Sequence, residues 1–291
     1  MASADDCHGP ADHTALGLLS EVHAAVPSTG SARSSDGAHY LARVGPRRKR
    51  RRDAADAPDE TPSYTLLHTW DTSLEDVGTQ LWRGALLLCD YLVGMEPSAD
   101  LGTVVDLGTG VGLTAVVAAR SSKAVFATDG NVNALALAER NGALNAHHLP
   151  AAAEAVIRYR QLCWGEEERR AGTGTYDWRA GELEALRLRG ADVVLAADCV
   201  YDGEAAAALL VEIAALLVGE ASVAYVCLEK RFNYEVATLS VVAHGYRALL
   251  DATERPESPL RAEIVDLASV PQLFAYDRVP QLELLVLRRR R

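Results

Sequence analysis

From about residue 61 onward, apolar residues fall into two alternating patterns. Short continuous apolar runs bounded by turn residues read as strands buried on both faces, while apolar positions recurring every three or four residues read as helices. Strands are predicted over Thr103–Leu107, Ala124–Thr128, Ala155–Leu162, Ala191–Ala197 and Ser222–Leu228. Helices are predicted over Gly78–Val93, Leu113–Ala119, Val132–Leu144, Glu204–Val218 and Tyr234–Ala243. Glu166–Arg189 is a polar insertion, part of it helical. Beyond Tyr246 the pattern turns to β-structure over Arg247–Leu250, Ala262–Leu267 and Leu282–Leu287. Alternating strands and helices build an α/β fold, a mostly parallel, doubly wound sheet of Rossmann-like type. Ligands in such sheets bind beyond the carboxyl ends of the strands.

Residues 1–60 differ from the rest. They are rich in Ala, Ser, Asp, Gly and Pro, show little periodicity, and contain the basic run Arg47–Arg52. Such a segment buries little apolar surface and is expected to be a disordered low-complexity tail, with residues 61–291 as the single folded domain. The basic run suggests a nuclear localisation signal, so a nuclear or cytoplasmic, in any case intracellular, location is expected. No apolar run reaches the roughly 20 residues of a membrane span. No secretory signal is visible.

The 291-residue chain carries a formal charge of −11, which the tail barely contributes to. An acidic domain is a poor general binder of nucleic acid phosphates and suits a basic protein partner better. The five cysteines are scattered, with no C-x-x-C pair, and read as reduced thiols rather than a disulfide frame or zinc site. The eight histidines form no metal pattern, and no metal is expected.

The candidate chemistry lies just after the predicted strands. Val104-Val105-Asp106-Leu107-Gly108-Thr109-Gly110-Val111-Gly112 is an apolar run ending in an acid, then a glycine turn into a helix. Gly108 and Gly110 tolerate backbone angles denied to other residues and leave backbone open to a ligand. The spacing is neither the dinucleotide G-x-G-x-x-G nor a P-loop. Asp129 ends the second strand, 23 residues after Asp106, where a carboxylate can accept hydrogen bonds from ribose hydroxyls. That acid does not by itself separate NAD from S-adenosyl-L-methionine. Trp164, in Leu162-Cys163-Trp164-Gly165 after the third strand, can stack on a base, and Trp82 precedes the first strand where it can close a pocket. Asp198-Cys199-Val200-Tyr201 follows the fourth strand, and Glu229-Lys230-Arg231 the fifth, at the substrate entrance or as a solvated charge run.

Together these residues resemble methyltransferase family 16, the seven-β-strand protein-lysine methyltransferases. The likeness is carried by Val77-Gly78-Thr79-Gln80-Leu81-Trp82, Asp106–Gly110, Asp129, Leu162–Gly165 and Asp198–Tyr201, and extends over about residues 64–287. It implies a class I methyltransferase sheet of seven strands with strand 7 antiparallel. It implies S-adenosyl-L-methionine as cofactor, bound by Trp82, Asp106, Gly108, Thr109, Gly110, Asp129, Trp164 and Ala197. It implies Asp198 and Tyr201 as the catalytic, substrate-side residues acting on the lysine amine of a protein substrate, often a nucleic-acid-associated or chaperone-like protein, by a monomeric enzyme. Cys163 departs from the pattern, since many members carry Asp there. The alternatives are a methyltransferase for a non-protein substrate and a catalytically silent interaction protein that keeps the fold.

Overall fold

The computed structural model describes residues 32–33, 39–45, 63–70, 72–95, 99–149, 157–165, 174–235 and 240–291. In chain order, β1 (Ala32–Arg33), β2 (Tyr40–Val44) and β3 (Tyr64–His68) precede α1 (Arg83–Gly94). Then β4 (Thr103–Leu107), α2 (Leu113–Ala119), β5 (Ala124–Asp129), α3 (Val132–Leu144), β6 (Ile157–Gln161) and α4 (Glu182–Arg189) follow. Next come β7 (Val193–Ala197), α5 (Gly203–Leu216), β8 (Val223–Glu229), β9 (Asn233–Glu235) and β10 (Ser240–Val242). The chain closes with α6 (His244–Glu254), β11 (Leu260–Ile264) and β12 (Leu282–Arg289).

Seven strands form one sheet in the order β11-β12-β8-β7-β4-β5-β6. Both ladders of β12 are antiparallel and the rest are parallel, so β12 alone runs against the others. This is the doubly wound, Rossmann-like sheet with an antiparallel last strand that the sequence leads one to expect. The strands read as continuous apolar runs because both faces are covered. Val104, Tyr225, Cys227, Leu282 and Leu284 pack with α1, α2 and α3 on one face. Val105, Leu107, Val194, Val226, Leu285 and Leu287 pack with α4, α5 and α6 on the other.

A buried polar network ties the end of the chain to α1. Asp90, fully buried, accepts hydrogen bonds from the backbone N–H of Leu273 and Phe274, the Tyr276 hydroxyl and the Arg278 guanidinium, all at 2.7–2.8 Å. A buried carboxylate is tolerated only with this degree of compensation.

Several expectations shift. The predicted helix Tyr234–Ala243 is instead the β9–β10 hairpin, where the β-branched pair Val241-Val242 is laddered against Tyr234 and Asn233. The predicted strand Arg247–Leu250 lies inside α6, whose buried positions Gly245, Leu249 and Thr253 recur every four residues. The strand expected over Ala262–Leu267 runs Leu260–Ile264, with a 3₁₀ turn at Leu267–Ser269. The helix expected from Gly78 is broken: a 3₁₀ turn at Val77–Thr79 is followed by extended backbone, and α1 begins only after Trp82. Inside the segment expected to be a tail, Tyr40–Val44 pairs antiparallel with β3. The basic run 47–52 and residues 1–31 lie outside the described residues. Cys89, Cys199 and Cys227 are free thiols. Among the described residues no helix is long and apolar enough to cross a membrane, and no group of His, Cys, Asp or Glu is arranged to hold a metal ion.

Candidate active site

The parallel register brings the strand ends level. Leu107 lies opposite Thr128 on β5 and Ala196 on β7, and Ala197 lies opposite Cys227 on β8. The next residues along these strands, Gly108, Asp129 and Ala197, therefore stand level at the carboxyl edge, with Asp198 one residue further out. The row spans the place between β4 and β7 where strand order reverses, which is where open α/β sheets leave a crevice.

The glycine turn is built from beneath. Asp106 is almost fully buried, and its Oδ2 accepts hydrogen bonds from the hydroxyls of Thr109 and Thr114, each at 2.6 Å. Oδ1 is buried without a hydrogen bond. The Thr109 amide donates to the Thr128 carbonyl at 2.8 Å. Asp106 and Thr109 thus satisfy one another and shape the turn. Gly108, Gly110 and Gly112 all have positive φ, 71°, 53° and 80°, which disfavours any side chain. A Cβ on Gly108 would lie 2.6 Å from the Cys199 sulfur, and one on Gly110 would lie 2.9 Å from the Gly78 carbonyl oxygen. The glycines serve close packing first, and the exposed backbone follows from it.

Burial raises the Asp106 carboxyl from 3.8 to about 6, with the neighbouring Asp129 charge adding to the rise and the threonine hydroxyls opposing it. A raised carboxyl favours the fold when protonated. Its contribution is present below about pH 4 and is lost as pH climbs through about 6. Asp106→Asn removes that titration. Wild type should therefore lose stability relative to this variant between pH 4 and pH 7, by up to about 3 kcal/mol. Urea unfolding of both proteins at the two pH values checks it.

Asp129 stands at the end of β5, half-exposed. Its Oδ2 accepts from the Gly110 amide at 3.0 Å and its Oδ1 from the Asn131 amide at 2.9 Å. The cap of α3 is Asn131, whose side chain accepts from the amides of Asn133 and Ala134. Asp129 is therefore not needed as the helix cap. Two indole ring atoms of Trp164 lie 3.5–3.6 Å from the Cβ position of Gly108, so the half-exposed ring flanks the turn. The turn, an acid and an indole surround one crevice. This donor set fits an adenosyl group: the acid for ribose hydroxyls and the indole for a purine face.

Asp198 has φ of 54°, the only non-glycine residue among those described with positive φ. It is held there by what its carboxylate does. Oδ1 accepts from the Glu229 amide at 2.7 Å, and Oδ2 accepts from the Gly84 amide in the first turn of α1. Asp198 thereby joins the ends of β7 and β8 to the start of α1. The cap of α5 is Asp202 instead, accepting from Ala205. Burial pushes the Asp198 carboxyl above its usual range, while the Arg231 guanidinium and the two amides pull it down. Tyr201 is exposed, and its hydroxyl lies within electrostatic range of Asp202, Cys199 and Asp129. Ala197 ends β7 beneath them, and its carbonyl accepts a 3.2 Å contact from the Cys199 thiol.

Trp82 is the extended residue that precedes α1, and its indole N–H donates to the Val77 carbonyl at 3.1 Å. The Arg231 guanidinium carbon lies 4.6 Å from the Trp82 ring centroid, a cation–π geometry. The sequence offered no signal for this pairing of residues far apart in the chain. The same holds for Arg83, whose guanidinium binds both oxygens of Glu229 at 3.0 Å, and for Lys230, which pairs with Glu283. The Glu229–Arg231 run is engaged at all three positions rather than solvated. Gly84 is the missed residue with a legible signal, a glycine in the first turn of a helix. Its Cβ would lie 2.5 Å from Asp198 Oδ2.

Comparison with known proteins bears on this geometry. A family model described as "Lysine methyltransferase" matches residues 62–244. Methyltransferase-like protein 22 of Mus musculus is 37% identical over 225 residues, covering 75% of this chain and 57% of its own length. The Homo sapiens protein of the same name is 34% identical over 225 residues, covering 75% and 55%. Protein N-lysine methyltransferase METTL21A of Danio rerio is 29% identical over 165 residues, covering 55% of this chain and 63% of that one. The chain thus spans little more than half the length of the first two relatives. The family model spans more than half of the chain and includes every residue of the crevice, and on that match the chain belongs to the lysine methyltransferase family.

Proposed function

We propose that this protein transfers a methyl group from S-adenosyl-L-methionine to the ε-amine of a lysine in a protein substrate. The observation that carries the reading is the placing of Asp129 and Asp198 at the ends of the strands on either side of β4, both within electrostatic range of Cys199 beside the glycine turn. A dinucleotide brings an anionic pyrophosphate, and these carboxylates would repel it. A sulfonium cofactor and a lysine ammonium are both cations, and both are attracted. The family match and the name of the zebrafish relative support lysine as the acceptor.

S-Adenosyl-L-methionine supplies an activated methyl group for in-line displacement. The protein's own contribution is positioning and exclusion of water. Asp129 takes the ribose hydroxyls, the Gly108–Gly110 turn passes beneath with Thr109 held by Asp106, Trp164 and Trp82 wall the cofactor, and Ala197 leaves room at the end of β7. Asp198 lies where the amine arrives. Each of its oxygens accepts one backbone N–H and keeps a second lone pair, which can orient the amine and draw off its proton. An unperturbed lysine has a pKa of about 10.4 and attacks only when neutral. Tyr201 orients the amine from the exposed side.

Isothermal calorimetry with S-adenosylhomocysteine tests the cofactor, and binding is expected. Radiolabelled cofactor offered with cell lysate tests the acceptor. Label stable to nuclease and lost to protease supports the reading, and label confined to nucleic acid or small molecules overturns it.

A further inference from the structure

The β9–β10 hairpin has no part in the crevice, yet it carries an uncovered apolar face. Among the described residues its strands pair with each other alone. The register sets Val241 opposite Tyr234, and Phe232 is two residues before Tyr234, on the same side of an extended chain. Phe232, Tyr234 and Val241 are 46%, 62% and 62% exposed, and Tyr201 nearby is 61% exposed. Grouped apolar exposure of this kind marks contact surfaces.

The hairpin is fixed at both ends to the candidate active site. At its stem Arg231 stacks on Trp82. At its exit Gly245 lies so close to the chain at Tyr201 that a Cβ would meet the Asp202 nitrogen at 3.0 Å and the Tyr201 carbonyl carbon at 3.1 Å. The chain on both sides of the hairpin is thus anchored beside the rim around Asp198 and Tyr201. Beside Tyr201 stand the exposed carboxylates of Asp202 and Glu204, with no ion pair between them and any described cation. An apolar face with exposed carboxylates near it complements an apolar segment that also carries positive charge.

We propose that this face docks the stretch of the substrate protein flanking the target lysine, with an apolar side chain on Phe232, Tyr234 and Val241 and a neighbouring basic residue toward Glu204 and Asp202. The inference rests on the protein-lysine reading above. An extended segment suits it, because Tyr234 and Val241 lie directly opposite one another and present one apolar strip.

The test uses the full chain, tritiated S-adenosyl-L-methionine and cell lysate as the probe. In Tyr234→Ser/Val241→Ser, label entering lysate protein should fall about tenfold, the effect of losing a pair of anchoring side chains. Glu204→Lys should reduce it as well. Affinity for S-adenosylhomocysteine should stay within twofold of wild type in both variants. Protein labelling within twofold of wild type in the double variant overturns the docking role. So does a parallel loss of S-adenosylhomocysteine affinity, which would make the hairpin a support for the cofactor crevice. Sedimentation showing a dimer that the double variant dissociates would assign the face to a second copy and overturn it too. Wild type that labels no protein fails the functional reading itself, and the docking role falls with it.

Discussion

Asp129→Ala should abolish measurable binding of S-adenosylhomocysteine in a protein that still folds. The carboxylate stands at the end of β5, and in this role its two oxygens serve the two ribose hydroxyls. Hydrogen bonds to a charged group are worth about 1.5–3 kcal/mol each. Losing two weakens binding by roughly two to four decades, at about 1.4 kcal/mol per decade. The carboxylate also accepts from the Gly110 and Asn131 amides, so its removal loosens the turn that faces the cofactor. The fold should tolerate this, because Asp129 is only half-buried and Asn131 independently caps α3. Calorimetry gives the affinity, and a cooperative melt near the wild-type temperature shows that the fold survives. Unchanged affinity would remove Asp129 from the cofactor site.

Asp198→Ala should lose methyl transfer by a factor of a thousand or more, and should also cost stability. The stability cost follows from geometry. Two amides, of Gly84 and Glu229, lose their acceptor, and charge-assisted bonds of this kind are worth about 1.5–3 kcal/mol each. Part of that is returned by the cavity that water can enter at the edge of the crevice. Asp198→Asn separates the two effects. It keeps the shape and one acceptor, so it should melt closer to wild type while staying nearly inactive, because an amide cannot take the proton from lysine. In wild type the rate should climb with pH, since both Asp198, raised by burial, and the lysine amine react in their deprotonated forms. Asp198→Asn with wild-type turnover would reduce Asp198 to a brace between α1, β7 and β8.

The parts of the fold most legible in the sequence are those whose physics is local. Thr103–Leu107, Leu113–Ala119 and Val132–Leu144 form over the residues expected, because a strand covered on both faces and a helix facing a sheet leave unambiguous patterns. The stretch from Tyr234 to Leu250 did not. The buried face of α6 is made of Gly245, Leu249 and Thr253, so two of its three inward positions look polar or neutral, and hydrophobic periodicity does not reveal them. In the hairpin, Tyr234 and Val241 face solvent, which inverts the usual sense of the pattern.

The site divides along the same line. Gly108, Gly110, Asp129, Trp164 and Asp198 were legible because each lies at the end of a strand or within three residues of it. The duties of Asp106 and Asp198 were not. Asp106 is absorbed by Thr109 and Thr114 beneath the turn, and Asp198 reaches back 114 residues to Gly84. The pairings of Arg231 with Trp82 and Arg83 with Glu229 are likewise set by which strand lies beside which helix, and no spacing in the chain encodes them.

Methyl transfer to protein lysine leaves a product that can be detected directly. The most direct measurement is mass spectrometry of lysate proteins after incubation with S-adenosyl-L-methionine bearing a deuterated methyl group, using wild type and Asp129→Ala in parallel. Deuteromethyl-lysine should appear in one or a few proteins with wild type and in none with the variant. Deuteromethyl groups absent from lysine with both proteins, or equally abundant on lysine with both, would contradict it.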